Sequence, residues 1–186
     1  MADLIEHARA LPFKSPPAWV LEITDPLKVE VRLINWGDFL GYEEAKFAVT
    51  KGDAQGAPGP AFFHGGTLYA SNSIQEHDLA HEVGHIVSWV KHGRPEGFNY
   101  GLDPDKGNDM EEEACWIEVY LMDRHGMGSD EDRIRDHHDI GIIISYNPDD
   151  DFDEDDDEYD GEAQYAWEEW KVAIWAGKML VQEVVG

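Results

Sequence analysis

The chain is poor in cysteine, with one residue, Cys115, among 186. A single thiol allows neither an internal disulfide nor a multi-cysteine zinc site, which favours an intracellular protein. Basic residues are also scarce. Fourteen Lys and Arg stand against 40 Asp and Glu, for a formal net charge of −26. Such a body repels nucleic-acid phosphates and anionic membranes, so direct binding to either is not expected. It attracts basic proteins, DNA-binding proteins among them, and metal cations, and it also serves solubility. Long apolar runs are missing: stretches such as Ile142–Ile144 fall far short of the roughly 20 residues that span a bilayer. The start, Met1-Ala2-Asp3-Leu4-Ile5-Glu6, has neither a basic region nor an apolar core of the signal-peptide kind, so a cytoplasmic location is expected.

What remains, at 42% hydrophobic, suits one domain with a real core. A short helix is expected over 3–10, with Asp3 and Glu6 at capping-box spacing and Pro12 beyond it. The β-branched runs Trp19–Thr24, Val29–Ile34 and Phe47–Thr50 read as strands of one sheet, and Gly66–Ser71 as another. Lys51–Pro60 reads as a Gly/Pro/Ala-rich loop. Ser73 and Glu76 have capping-box spacing for a helix that His92-Gly93-Arg94-Pro95 ends, with Leu79, Val83, Ile86, Val87 and Val90 as its core stripe. A second helix is expected from near Asn108 to His125-Gly126, a short third from Ser129, and a β-like run over Gly141–Tyr146. Acidic residues fill 10 of the 12 positions 149–160, which reads as a solvated, self-repelling linker. Glu162–Val184 then repeats apolar residues at three- and four-residue spacing, as an amphipathic helix does. In this helix Trp167 and Trp170 are expected in the core, and a partner-binding face that includes Trp175 is the lesser alternative.

The chemistry concentrates in His81-Glu82-Val83-Gly84-His85, an HExxH string inside the expected helix. Residues i and i+4 share a helix face, so two imidazoles can converge on one Zn²⁺ at about 2.0–2.1 Å. Glu82, rotated by about 100°, is placed instead to act on water beside the ion as a general base. A catalytic zinc usually has three protein ligands. The third is sought in Glu111-Glu112-Glu113, at the start of the second helix. Ala114, Ile117, Leu121 and Met122 form that helix's inward stripe, and Glu111 is in phase with it, so the order of preference is Glu111, Glu112, Glu113. The alternative is an acidic first turn stabilised by the helix dipole. A second oxyanion donor is not assigned. His64, His77, His137 and His138 are expected in ordinary roles, and Cys115 as a packed thiol rather than a nucleophile. Asp151, Asp153, Asp155 and Glu162 match an EF-hand loop, but Asp156 stands where its sharp turn needs glycine, so Ca²⁺ binding is disfavoured.

The run Asp78-Leu79-Ala80-His81-Glu82-Val83-Gly84-His85 resembles the "LAHELGH" core of the ImmA/IrrE-type metallopeptidases. Glu111–Met122 resembles their "ExEAnxFAxxLLM" helix, and together the likeness covers roughly residues 66–122. It departs at Glu118, where that family has a small residue, and at Asp123, where proline is usual. The resemblance implies a compact α+β zincin-like domain over 1–148 with a small mixed sheet. Its zinc is held by His81, His85 and Glu111, with Glu82 catalytic, and the strand before the HExxH helix lies at the sheet edge. Glu118 shares a face with Glu111 and is a candidate acceptor for a ligand histidine. Residues 149–161 would be the linker, and 162–186 a C-terminal helix packing on the domain. The function implied is a zinc-dependent peptidase cutting a specific protein, for which the acidity suggests a basic target. The alternative is a non-enzymatic acidic binder that mimics nucleic acid on the same scaffold. Glu82 favours the enzyme, because a purely structural zinc site needs no carboxylate there.

Overall fold

The computed structural model describes residues 2–41, 61–94, 104–127 and 159–186. Of the expected elements, Phe47–Thr50, Lys51–Pro60, the helix from Ser129, Gly141–Tyr146 and the acidic residues 149–158 lie outside the described residues. The fold is α+β around a four-stranded mixed sheet. In chain order the elements are α1 (Ala2–Ala10), β1 (Phe13–Lys14), α2 (Ala18–Thr24), β2 (Glu30–Ile34) and α3 (Trp36–Leu40). They continue as β3 (Ala61–His64), β4 (Thr67–Ser71), α4 (Glu76–Lys91), α5 (Pro104–His125) and α6 (Tyr159–Val185). The strands lie in the order β1-β2-β4-β3. β2 runs parallel to β4, and β1 and β3 pair antiparallel with their neighbours.

Alternation along the strands divides the core. Val31 and Leu33 of β2, with Leu68 and Ala70 of β4, face the larger cluster built with α2, α4, α5 and α6. Ile34 and Tyr69 point the other way, to Leu4, Ala8 and Phe39 from α1 and α3. All five residues of β4 are buried, as befits a strand covered on both faces. β4 is therefore interior, which corrects the expectation of an edge strand before the HExxH helix. The edge position belongs to β3, joined to β4 through Gly65 and Gly66. Their φ values of +58° and +84° suit a two-residue hairpin turn of the right twist.

Trp19–Thr24 is helix α2, not a strand. Its apolar residues are consistent with either reading, but Trp19, Val20, Ile23, Thr24 and Leu27 are buried at helical spacing while Glu22 is exposed. Thr24 Oγ1 donates to the Val20 carbonyl at 3.0 Å, one turn back, which satisfies the hydroxyl in the core. The Ser73–Glu76 capping box does not form either: Gln75 is the N-cap of α4, without a side-chain cap bond. Ser73 and Ser71 hydroxyls bond each other instead, at 2.9 Å. α5 starts at Pro104, four residues before the expected Asn108, and proline suits a first helical turn.

Two helix contacts are close enough to exclude any side chain beyond hydrogen. A Cβ on Gly84 of α4 would lie 2.5 Å from the Ala114 carbonyl oxygen of α5. One on Gly177 of α6 would lie 2.0 Å from the Trp116 carbonyl oxygen and 2.9 Å from Tyr120 Cβ. Thus α5 lies between α4 and α6, in backbone contact with both. α6 begins three residues before the expected Glu162; it turns Ala173, Leu180 and Val181 inward and leaves Val172, Trp175 and Met179 exposed. Gly177→Ala is expected to lower unfolding stability by about 1–3 kcal/mol, the usual cost of overpacking, read as a lower urea midpoint than wild type. Lys178→Ala, one residue along on the exposed side, is expected to change it by less than about 0.5 kcal/mol.

Candidate metal centre

The contact between Gly84 and Ala114 brings the HExxH residues against the first turns of α5. His81 and His85 lie one turn apart on α4, their ring centroids 4.5 Å apart and their planes at 88°. Both Nε2 atoms address one carboxylate oxygen: Glu111 Oε2 is 3.5 Å from His81 Nε2 and 3.6 Å from His85 Nε2. The donor atoms of this trio all lie within 4.8 Å of one another. Such separations are long for good hydrogen bonds. They match the edge of a tetrahedron: donors about 2.1 Å from a common centre sit roughly 3.4 Å apart. Two imidazole nitrogens and one carboxylate oxygen at this spacing fit a zinc-sized cation.

Glu111 reaches this position from the mouth of the site, not from the core. Its side chain is 48% exposed, although its phase on the helix had suggested an inward position. Of the three consecutive glutamates, Glu113 is the buried one, and it faces elsewhere. It accepts hydrogen bonds from Ser88 Oγ at 2.5 Å, Lys91 Nζ at 2.5 Å and His92 Nε2 at 3.1 Å. Those three donors stand at i, i+3 and i+4 on α4, so helix spacing alone groups them. Glu112 is half-buried and belongs to neither cluster.

Glu118, two turns beyond Glu111, is buried and accepts a 3.0 Å hydrogen bond from Nδ1 of His81. That bond fixes the ring and leaves Nε2 directed toward the trio. Cys115 lies between the two glutamates, with its sulfur within 4.8 Å of donor atoms of His81 and Glu118. The sequence alone predicts an ordinary packed or semi-exposed thiol here, and Cys115 is half-buried. The spacing of Glu111, Cys115 and Glu118 at i, i+4 and i+7 was the signal that all three share one face. His77 pairs with Asp78 at 3.3 Å, His64 is exposed at the end of β3, and His137 and His138 lie outside the described residues.

Charge in the site is one-sided. Burial favours the neutral form of His81, but hydrogen bonds with Cys115, Glu111 and Glu118 and the charge of Glu118 outweigh it and push the ring up to about 12. Glu82 is pushed up to about 7, first by burial and then by the carboxylates of Glu111, Asp78 and Glu118, against the opposing charge of His81. Burial and the neighbouring His81 hold His85 well below its ordinary value, in the neutral form a metal requires. Asp78, Glu111 and Glu118 thus gather negative charge around His81 and Glu82.

No family model, curated protein or solved structure matches the chain. The inference about function therefore stands on the residues and their geometry. Among the described residues no helix is long and apolar enough to cross a membrane.

The Glu113 cluster gives a stability prediction with a definite sign. Burial alone would raise its carboxyl; the hydrogen bonds from Lys91 and Ser88 and the charges of Lys91 and His92 prevail and hold it below the usual range. A depressed carboxylate stabilises the fold above its unfolded pKa and loses that contribution as pH falls through the folded value. Glu113→Gln is expected to cost about 1–3 kcal/mol at pH 7. Urea unfolding from pH 7 down to pH 3 should show the difference from wild type shrinking as the solution becomes acidic.

Proposed function

We propose that the chain is a zinc-dependent metallopeptidase of the HExxH type with a zincin-like core, similar to the ImmA/IrrE-type enzymes. The observation that carries this reading is the convergence of His81 Nε2 and His85 Nε2 on a single oxygen of Glu111, with Glu82 beside them. A bound zinc supplies a Lewis acid that acidifies water and polarises a carbonyl. The chain's own residues do the rest. His81, His85 and Glu111 would hold the ion. Glu118 accepts from His81 Nδ1, which sets the tautomer that presents Nε2. Glu82, next to His81 in the chain, would take a proton from water and return it to the leaving amine.

The target class follows from charge. With 40 acidic residues against 14 basic ones, and with Glu111 exposed at the mouth, a basic protein segment is the favoured substrate; a DNA-binding protein is one such class. The chain itself is not expected to bind nucleic acid. Cytoplasmic action suits a chain with one thiol.

The test is paired. Zinc per chain, by elemental analysis, is expected near one for wild type and Glu82→Gln, and near zero for His85→Ala. Cleavage of a randomised peptide library, read by mass spectrometry, is expected in wild type, with Lys and Arg enriched around the cut. Glu82→Gln should lose about 10²–10⁴-fold in rate while keeping its metal. Stoichiometric zinc with no cleavage of basic or neutral peptides would overturn the enzymatic reading in favour of an acidic binding protein.

Glu118 has its own expected effect. Glu118→Gln should weaken zinc affinity by about 10–100-fold, measured by chelator competition, because His81 loses its charged acceptor. An unchanged affinity would remove Glu118 from the site.

A further inference from the structure

His81 belongs to two donor sets. Its Nε2 takes part in the trio with His85 and Glu111, while its Nδ1 lies 3.0 Å from Glu118 Oε2. Cys115 stands between the two glutamates on the same face of α5. His81, Cys115 and Glu118 together offer one nitrogen, one sulfur and one oxygen within 4.8 Å of one another. This inner set is contributed by both helices, and it is more enclosed than the outer one: Glu118 is 7% exposed and Cys115 half-buried. Its donor chemistry also differs. The outer trio has two imidazoles and a carboxylate, whereas the inner set includes a thiolate, which selects soft cations.

We propose that His81, Cys115 and Glu118 form a second cation site, specific for thiophilic ions such as Cd²⁺, that excludes an ion from the outer trio. The exclusion follows from the shared ring. A neutral imidazole has one lone-pair nitrogen. Coordination through Nδ1 moves the ring proton to Nε2 and withdraws that nitrogen from His85 and Glu111. Cys115 must also lose its thiol proton, and a ring that starts as the cation gives up a second, so each ion taken up releases two protons to solvent. The inner site stands on its own donor set; only its effect on the outer trio rests on the metallopeptidase reading.

The chain's single cysteine makes the assignment direct. Metal-free full-length protein is titrated with Cd²⁺, and the ultraviolet thiolate-to-cadmium charge-transfer band is followed. Wild type and His85→Ala are expected to develop the band with an endpoint near one equivalent. Cys115→Ser should give none. Glu118→Gln should weaken the band-monitored affinity by at least about 10-fold, and His81→Ala more, each variant checked by circular dichroism for retained helix. Undiminished affinity in a folded Glu118→Gln or His81→Ala would mean that an isolated thiol binds Cd²⁺, and would overturn the proposal. So would loss of the band in folded His85→Ala, because the ion would then need the outer trio. In a second step Co²⁺ is added to the Cd²⁺-loaded wild type. The visible Co²⁺ bands of the outer trio are expected to be absent while the cadmium band persists, and their appearance alongside it would overturn the exclusion. A wild type that shows the cadmium band but cleaves no peptide with zinc fails the peptidase reading alone.

Discussion

The arrangement depends on the distance between two helix backbones. α4 and α5 meet where Gly84 faces Ala114, so closely that a methyl group on Gly84 would collide with main-chain atoms. Side chains on the two helices must therefore pass beside each other within a few ångströms. His81 and His85 flank Gly84 on α4, while Glu111, Cys115 and Glu118 flank Ala114 on α5. A separation larger by one side-chain layer would move Glu111 away from the imidazoles and Glu118 away from His81 Nδ1. The middle glycine of the HExGH string thus has a packing role that sets the reach of every donor around it.

That proximity has an electrostatic cost. Asp78, Glu82, Glu111 and Glu118 are drawn to one place, where the His81 ring is the cationic neighbour of Glu111 and Glu118. Buried or partly buried charges of one sign persist when something compensates them. The neighbouring carboxylates raise both His81 and Glu82, although burial is the larger cause for Glu82 and opposes the shift of His81. The proposed cation would replace the proton on His81 and relieve Glu82 together, so binding and catalytic poise would be coupled through one potential. A few residues away, Glu113 is handled oppositely: Ser88, Lys91 and His92 surround it with donors, and it serves the helix contact instead of the site.

The parts of this structure that were legible in the sequence are those governed by helix periodicity. Val83, Ile86 and Val87 on α4, and Ala114, Ile117, Leu121 and Met122 on α5, are buried as their spacing requires. The HExxH pair converges because i and i+4 leave no other choice. Sequence periodicity was less decisive where helix and strand patterns overlap. Trp19–Thr24 is short, apolar and β-branched, and only its packing partners made it α2. Helix phase favours Glu111 over Glu112 and Glu113 and suggests an inward position, whereas its side chain is 48% exposed and lies beside the two imidazoles. Reach and burial separate here because a long side chain at the mouth can bend over the helix surface. For Cys115, the i, i+4, i+7 spacing shows the face it shares with Glu111 and Glu118, but not that His81 of another helix lies against that face.

α6 completes the constraint from behind. Gly177 brings its backbone against Trp116 and Tyr120, residues on the flank of α5 adjoining the face that carries Cys115 and Glu118. The helix with the carboxylate and thiol donors is thereby held between two glycine contacts, one on each side. Its rotation about its own axis is fixed by both. A turn of roughly 20–30° would carry the Glu118 carboxylate, about 5–6 Å from the helix axis, roughly 2–3 Å sideways and out of hydrogen-bonding distance of His81. Docking of the C-terminal helix therefore bears on the candidate site through the orientation of α5. The apolar residues that α6 turns inward, Ala173, Leu180 and Val181, contribute to the site through the orientation of α5 as well as to stability.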